Sequence, residues 1–130
     1  MYDNEIMPRN ISFSLTTNQI KNRTKTVTRR KGWKFLKTGD ILNACVKCMG
    51  LRPGEKIERL GQIRVTDVYR ESLARLYFDH AYGLSECRRE GFPGMTGPEF
   101  INMFCAHMGG LRDQVVTRIE FEYFNGDVKP

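Results

Sequence analysis

Lys25-Thr26-Val27-Thr28-Arg29-Arg30 is the segment of this chain best equipped for chemistry. Cations and hydroxyls at this spacing suit a nucleotide, because guanidinium groups chelate phosphate oxygens in bidentate fashion and threonine hydroxyls donate to them. The motif lies inside a longer basic stretch: residues 6 to 39 contain no Asp or Glu, and residues 21–37 (KNRTKTVTRRKGWKFLK) hold eight Lys or Arg. The 130-residue chain carries 21 basic and 15 acidic side chains, a net charge of +6. Without those eight, 13 basic side chains face 15 acidic ones, a remainder of −2. The basicity is therefore local, and it points to a polyanion, or to a nucleotide's phosphate and base together. Trp33, the only tryptophan, sits in the same stretch. Its ring could stack on a base, or pack with Phe35 and Leu36 as a lid. Lys25, Thr26, Thr28, Arg29, Arg30 and Trp33 form the candidate binding set.

Two other groups of residues could do chemistry. Cys45-Val46-Lys47-Cys48 has zinc-knuckle spacing, and Cys105 with His107, or Cys87, could complete four ligands. If a strand runs through it, however, Cys45 and Cys48 point to opposite faces, and no second CxxC follows. A zinc-stabilised interaction module is thus the third functional reading, behind binding and catalysis. His107 falls on the apolar stripe of a predicted helix, which fits a core or C-terminal-turn histidine. His80, beside Asp79, reads as a surface residue.

The elements that must position these residues follow from hydrophobic periodicity. Residues 11–15 (ISFSL) alternate and predict a strand with Ile11, Phe13 and Leu15 on the buried face. A helical turn over 16–21 precedes the basic segment, and Thr38-Gly39-Asp40 turns the chain into a strand over 41–48. A loop containing Arg52-Pro53-Gly54 leads to a strand over 61–69. Helical signals run from 72 to 108. The clearest is the capping box Thr96-Gly97-Pro98-Glu99, followed by Phe100, Met103, Phe104 and His107 at helical spacing and stopped by Gly109-Gly110. A strand over 116–124 closes the pattern, and strands at both ends predict that the first and last pair. The expected fold class is α+β, a small mixed β-barrel with helices between its strands, formed as one domain over residues 1–130. No export signal or spanning segment is visible, so a cytoplasmic protein with free thiols and no membrane partner is expected.

The order ISFSL, then Lys25 to Arg30, then Lys37-Thr38-Gly39-Asp40 and an apolar strand resembles the ASCH domain family, and the terminal IEFEY strand fits the same pattern. The likeness extends over most of the chain, with its specific part in residues 21–42. ASCH domains resemble PUA domains, so the resemblance implies a PUA-like barrel with a cleft that binds RNA, a nucleoside or a nucleotide, without a cofactor. One branch, the N4-acetylcytidine amidohydrolases, uses a lysine, a threonine three residues later and a more distant glutamate. On this chain the first two fall on Lys25 and Thr28, and the glutamate falls on Glu90, with Glu86 and Glu99 as alternatives. The motif's arginine falls on Arg30, or on Arg29 if the register shifts.

Hydrolysis of such an amide needs a nucleophile, a base and a donor for the oxyanion. Thr28 would supply the hydroxyl. Lys25 would accept its proton only as a neutral amine, with a pKa below its usual value of about 10.4. Burial and the nearby arginines push in that direction, whereas Glu90 could orient the amine, protonate the leaving nitrogen, or hold the lysine charged. On an extended strand, residues three apart face opposite ways, so the backbone must turn between Lys25 and Thr28. The first reading is therefore RNA or nucleotide binding in a basic cleft, and the second is hydrolysis of an N4-acylated cytidine.

Overall fold

The computed structural model describes residues 8–124. In chain order the elements are β1 (Arg9–Ser12), a 3-10 turn (Ser14–Thr16), α1 (Thr17–Lys21), β2 (Val27–Arg30), β3 (Ile41–Cys45) and β4 (Arg59–Ser72), then α2 (Arg75–Phe78), α3 (His80–Arg89), α4 (Gly97–Met108) and β5 (Val115–Phe124). Among the described residues the strands form one sheet in the order β1-β3-β4-β5-β2. The pair β1–β3 is parallel and the others are antiparallel. Register shifts at Ala44/Cys45 and at Val65/Asp67 mark bulges, which bend strands and increase their twist. The sheet curls, and its two edge strands are linked where Arg30 of β2 donates from Nη2 to the Ser12 carbonyl of β1 at 2.6 Å.

The interior of the curl is apolar. Ile11, Phe13, Ile20, Leu42, Ile63, Val65, Ile119 and Phe121 form one buried cluster. A second cluster, Leu73, Leu76, Cys87, Phe100, Ile101, Phe104 and Val116, joins the three later helices to β5. Strand β5 thus has both faces covered: Ile119 and Phe121 point into the curl, and Val116 and Arg118 point toward the helices.

Several expectations need correction. The first and last strands do not pair. Four-residue β1 lies parallel to β3, while ten-residue β5 pairs with β4 from Gln62 to Ser72 and takes β2 on its other side. The strand predicted over 11–15 ends at Ser12, because the 3-10 turn breaks the alternation. Ile11 and Phe13 are buried, but Leu15 is 59% exposed. The strand over 41–48 stops at Cys45, after the bulge. The strand over 61–69 is longer, with β5 pairing it as far as Ser72. The capping box is present in both directions: Glu99 N–H donates to Thr96 Oγ1 and Thr96 N–H to Glu99 Oε1. Among the described residues, no helix is long and apolar enough to cross a membrane.

Candidate functional site

Lys25 precedes β2 rather than belonging to it, which removes the parity conflict with Thr28. Helix α1 ends at Lys21, Arg23 adopts a left-handed conformation (φ 60°), and the N–H groups of Thr24 and Lys25 both donate to Gln19 O. Thr26 then enters the sheet by donating to Arg89 O at 2.8 Å and accepting from Phe121 N–H at 2.9 Å. After this turn, Lys25 and Thr28 line one cavity of about 240 Å³, together with Arg29, Arg30 and Glu90. The same cavity has an apolar lining from Phe13, Phe92, Phe100, Met103 and Phe104.

Glu90 is placed by the end of α3. It is the C-cap residue. Gly91 N–H donates to Arg88 O and Phe92 N–H to Cys87 O, the paired bonds of a Schellman ending. Gly91 has φ +101°, and a Cβ there would lie 2.8 Å from Gln19 Cγ, so glycine is required on both counts. Gln19 Nε2 also donates to Gly91 O, tying α1 to this corner. The same turn swings Phe92 into the cavity wall.

The polar end of the cavity is a buried, hydrogen-bonded set of charges. Lys25 Nζ donates to Glu90 O at 2.7 Å and to Glu90 Oε1 at 2.8 Å. Arg29 Nη1 donates to Glu90 Oε2 at 3.0 Å, and its Nη2 reaches Glu71 at 2.8 Å and Glu86 at 2.6 Å. Arg118 grips Glu86 in a fork, Nε to Oε1 at 2.6 Å and Nη2 to Oε2 at 3.0 Å. Tyr82 Oη donates to Glu71 at 2.8 Å. Arg29 and Arg118, joined by Arg75 on Glu71 at 3.0 Å, thereby balance Glu71, Glu86 and Glu90, and all of these but Arg75 are buried. Such burial is tolerated only when the charges are paired and hydrogen-bonded.

The balance on individual groups follows from these contacts. Burial lowers the Lys25 pKa below its ordinary 10.5, and Arg30 and Arg29 add to that. Glu90 opposes it without winning, since its second oxygen is held by Arg29. Burial alone would lower Arg29 as well, but Glu90, Glu71 and Glu86 hold it above its ordinary value. Burial would raise Glu86, yet Arg118 and Arg29 keep it below 4.5. Burial pushes Arg30 down to about 10 against the pull of Glu90.

Thr28 is buried, and its Oγ1 accepts from Arg30 Nε at 3.0 Å. Its own proton reaches no acceptor among the described residues. Arg30 Nη2 is occupied by Ser12 O, whereas Nη1 has no hydrogen-bond partner there. The guanidinium sits 4.8 Å above the Phe13 ring, which fixes its plane.

Thr26 and Trp33 lie outside this cavity. Thr26 is engaged through its backbone, and Trp33 packs on Phe35, with ring centres 5.4 Å apart, against the inner core. The zinc set does not assemble: Cys45 ends β3 and Cys48 lies beyond it, and Cys105 and His107 sit on α4. Among the described residues, no group of three or more His, Cys, Asp or Glu side chains is placed to hold a metal ion. His107 is exposed in the last turn of α4, at the mouth of the cavity, and His80 is exposed at the start of α3. Of the glutamate alternatives, Glu86 belongs to the charge network, and Glu99 serves the helix cap. Sequence reasoning missed Glu71, Tyr82 and Arg118. The available signal was Arg118, which shares the phase of Val116 on β5, a face that the helices cover.

No family profile matches the chain, and no curated protein matches it. A solved structure does: protein EF3133 from Enterococcus faecalis V583, of the family DUF984. It superposes with a TM-score of 0.60 over 91% of this chain and 80% of its own, at 14% identity. The likeness is one of fold, a small α+β architecture built on a curled mixed sheet.

Proposed function

We propose that this protein is an ASCH-type, PUA-like domain that takes a nucleobase into the cavity and hydrolyses an acyl amide on its exocyclic nitrogen, as in N4-acetylcytidine. One observation carries the reading: the Lys25 amine and the Thr28 hydroxyl border the same cavity, each with one hydrogen-bonding capacity left over. Lys25 Nζ has two acceptors, Glu90 O and Oε1. These satisfy the two N–H groups of a neutral amine and leave its lone pair free, whereas an ammonium would carry a third donor. Burial favours the neutral form. Thr28 has a proton to give.

The step follows from these roles. Lys25 takes the Thr28 proton as Oγ1 bonds to the acyl carbon, and the unpartnered Arg30 Nη1 stabilises the oxyanion. The C–N bond then breaks, and the proton passes from Lys25 to the departing exocyclic nitrogen. Water hydrolyses the Thr28 ester, releasing the carboxylic acid and restoring the hydroxyl. Glu90 keeps the amine aimed throughout, and the aromatic wall offers faces on which a base can stack.

A volume of about 240 Å³ lies below the roughly 300 Å³ at which pockets for drug-sized ligands begin. This favours one base over a long segment of polynucleotide as the occupant. Binding without turnover is the second reading, favoured by the direct contact of Glu90 with Lys25, which could hold it as an ammonium. Incubation with N4-acetylcytidine followed by chromatography separates the two. Cytidine should form with wild type and fall at least about 10³-fold in Thr28→Ala and Lys25→Ala, the scale of losing a nucleophile or its base. Saturable binding with no cytidine supports the second reading, and neither binding nor turnover removes both.

A further inference from the structure

A second concavity lies along the same pair of sheet edges. It is an open hollow of about 590 Å³ lined by Arg9, Asn10, Lys31, Trp33 and Phe35, with Pro8 at its rim. The two sites are neighbours in the fold. Ser12 and Arg30 line the inner cavity, and Arg9 and Lys31 line the hollow. Three residue steps separate Arg9 from Ser12 on β1, about 10 Å at the strand rise of about 3.3 Å per residue.

The hollow is built from cations and aromatic rings. The Arg9 guanidinium lies 4.2 Å over the Phe35 ring, and Phe35 packs on Trp33 at 5.4 Å. Neither Arg9 nor Lys31 has a carboxylate partner among the described residues, and the only hydrogen bond of Lys31 Nζ goes to the Met108 carbonyl. No acidic residue lies between positions 6 and 39 to compensate them. The turn that presents Trp33 is fixed: Trp33 has φ 55°, a conformation rare for a side-chain-bearing residue. The carbonyl of the preceding Gly32 accepts from Thr117 Oγ1 and Arg70 Nη1.

We infer that this hollow binds a nucleotide farther along the same single strand of nucleic acid, with a base on the Trp33–Phe35 surface and its phosphate on Arg9 and Lys31. Bases stack on aromatic side chains without regard to sequence, and unpaired cations track the backbone. At about 3.4 Å per stacked nucleotide, the span from Ser12 to Arg9 corresponds to about three nucleotides. The preferred ligand is then an oligonucleotide whose modified base enters the inner cavity, not a free nucleoside. This rests on the proposal that the inner cavity holds a base.

Trp33 is the only tryptophan, so its fluorescence reports on the hollow directly. Single-stranded hexauridylate should quench it in a salt-dependent manner, and free cytidine should leave it unchanged. Arg9→Ala with Lys31→Ala, both at exposed positions, should weaken hexauridylate binding by about tenfold or more. The same change should reduce the slope of log affinity against log salt by about 1.4, that is about 0.7 per cation for single strands. Turnover of N4-acetylcytidine by the double variant should be unchanged. No hexauridylate binding, binding without quenching, or an unchanged affinity in the double variant overturns the inference. Quenching without any nucleoside turnover counts against the hydrolase reading alone, and turnover without quenching counts against the hollow alone.

Discussion

Replacing Glu86 by Gln keeps the side chain's shape and one acceptor oxygen but removes a charge from the centre of the buried network. Glu86 receives Arg29 at 2.6 Å and Arg118 at 2.6 and 3.0 Å, with all three side chains at most 4% exposed. At 2.6 Å and an effective dielectric of about 20, one such pair has a Coulomb energy of roughly 6 kcal/mol. The amide oxygen still accepts a hydrogen bond, and Arg29 and Arg118 keep Glu71, Glu90 and Glu120 as partners, so part of this is recovered. The expected net loss is about 3–5 kcal/mol, the range for breaking a buried pair from one side. Equilibrium urea unfolding reads this as a lower midpoint at unchanged slope. The control is Glu122→Gln, whose pair with Arg64 is 44% and 48% exposed and should cost less than about 1 kcal/mol. If the two variants unfold within about 1 kcal/mol of each other, the ion pairs of Glu86 do not hold α3 onto the sheet.

The pH dependence follows from the same contacts. Glu86 sits below its ordinary 4.5, so its stabilisation is fully present above 4.5 and is lost as pH falls through its depressed folded value. Glu86→Gln should therefore lack that acid limb in a series of thermal melts. Lys25 behaves oppositely: between its lowered folded pKa and 10.5, the unfolded chain binds the proton that the folded chain does not. Stability thus rises with pH through that window, and the difference between wild type and Lys25→Met melts should show it. Gly91→Ala should cost about 1–3 kcal/mol from backbone strain and the clash with Gln19. It should also lower turnover by displacing Glu90, which an unchanged rate would contradict.

The sequence made the ends of elements more legible than their partners. The Thr96–Glu99 box names its own hydrogen bonds, and Ile119 and Phe121 reveal their face by strict alternation. Which strands pair was hidden, because partnership depends on lengths and bulges, and a bulge such as that at Val65/Asp67 has no residue signature here. Leu15 misled for a local reason: a 3-10 turn starting one residue earlier rotates it to solvent. In the site, Lys25 and Thr28 were legible as a motif, but their meeting depends on the turn at Arg23 and on the Gln19 carbonyl. Glu71 was illegible as a site residue, and Arg118 revealed only the face it shares with Val116, since the buried ion pairs among β2, β4, β5 and α3 arise only once the elements are packed.

In the proposed reaction Thr28, activated by Lys25, attacks the acyl carbon. Rapid acid quenching during turnover of N4-acetylcytidine, followed by mass spectrometry of the peptide bearing Thr28, tests it most directly. An acetyl ester on Thr28 that appears in wild type and is absent in Lys25→Ala is the predicted result. Turnover with no acyl group on Thr28, or an ester formed equally well without Lys25, would contradict it.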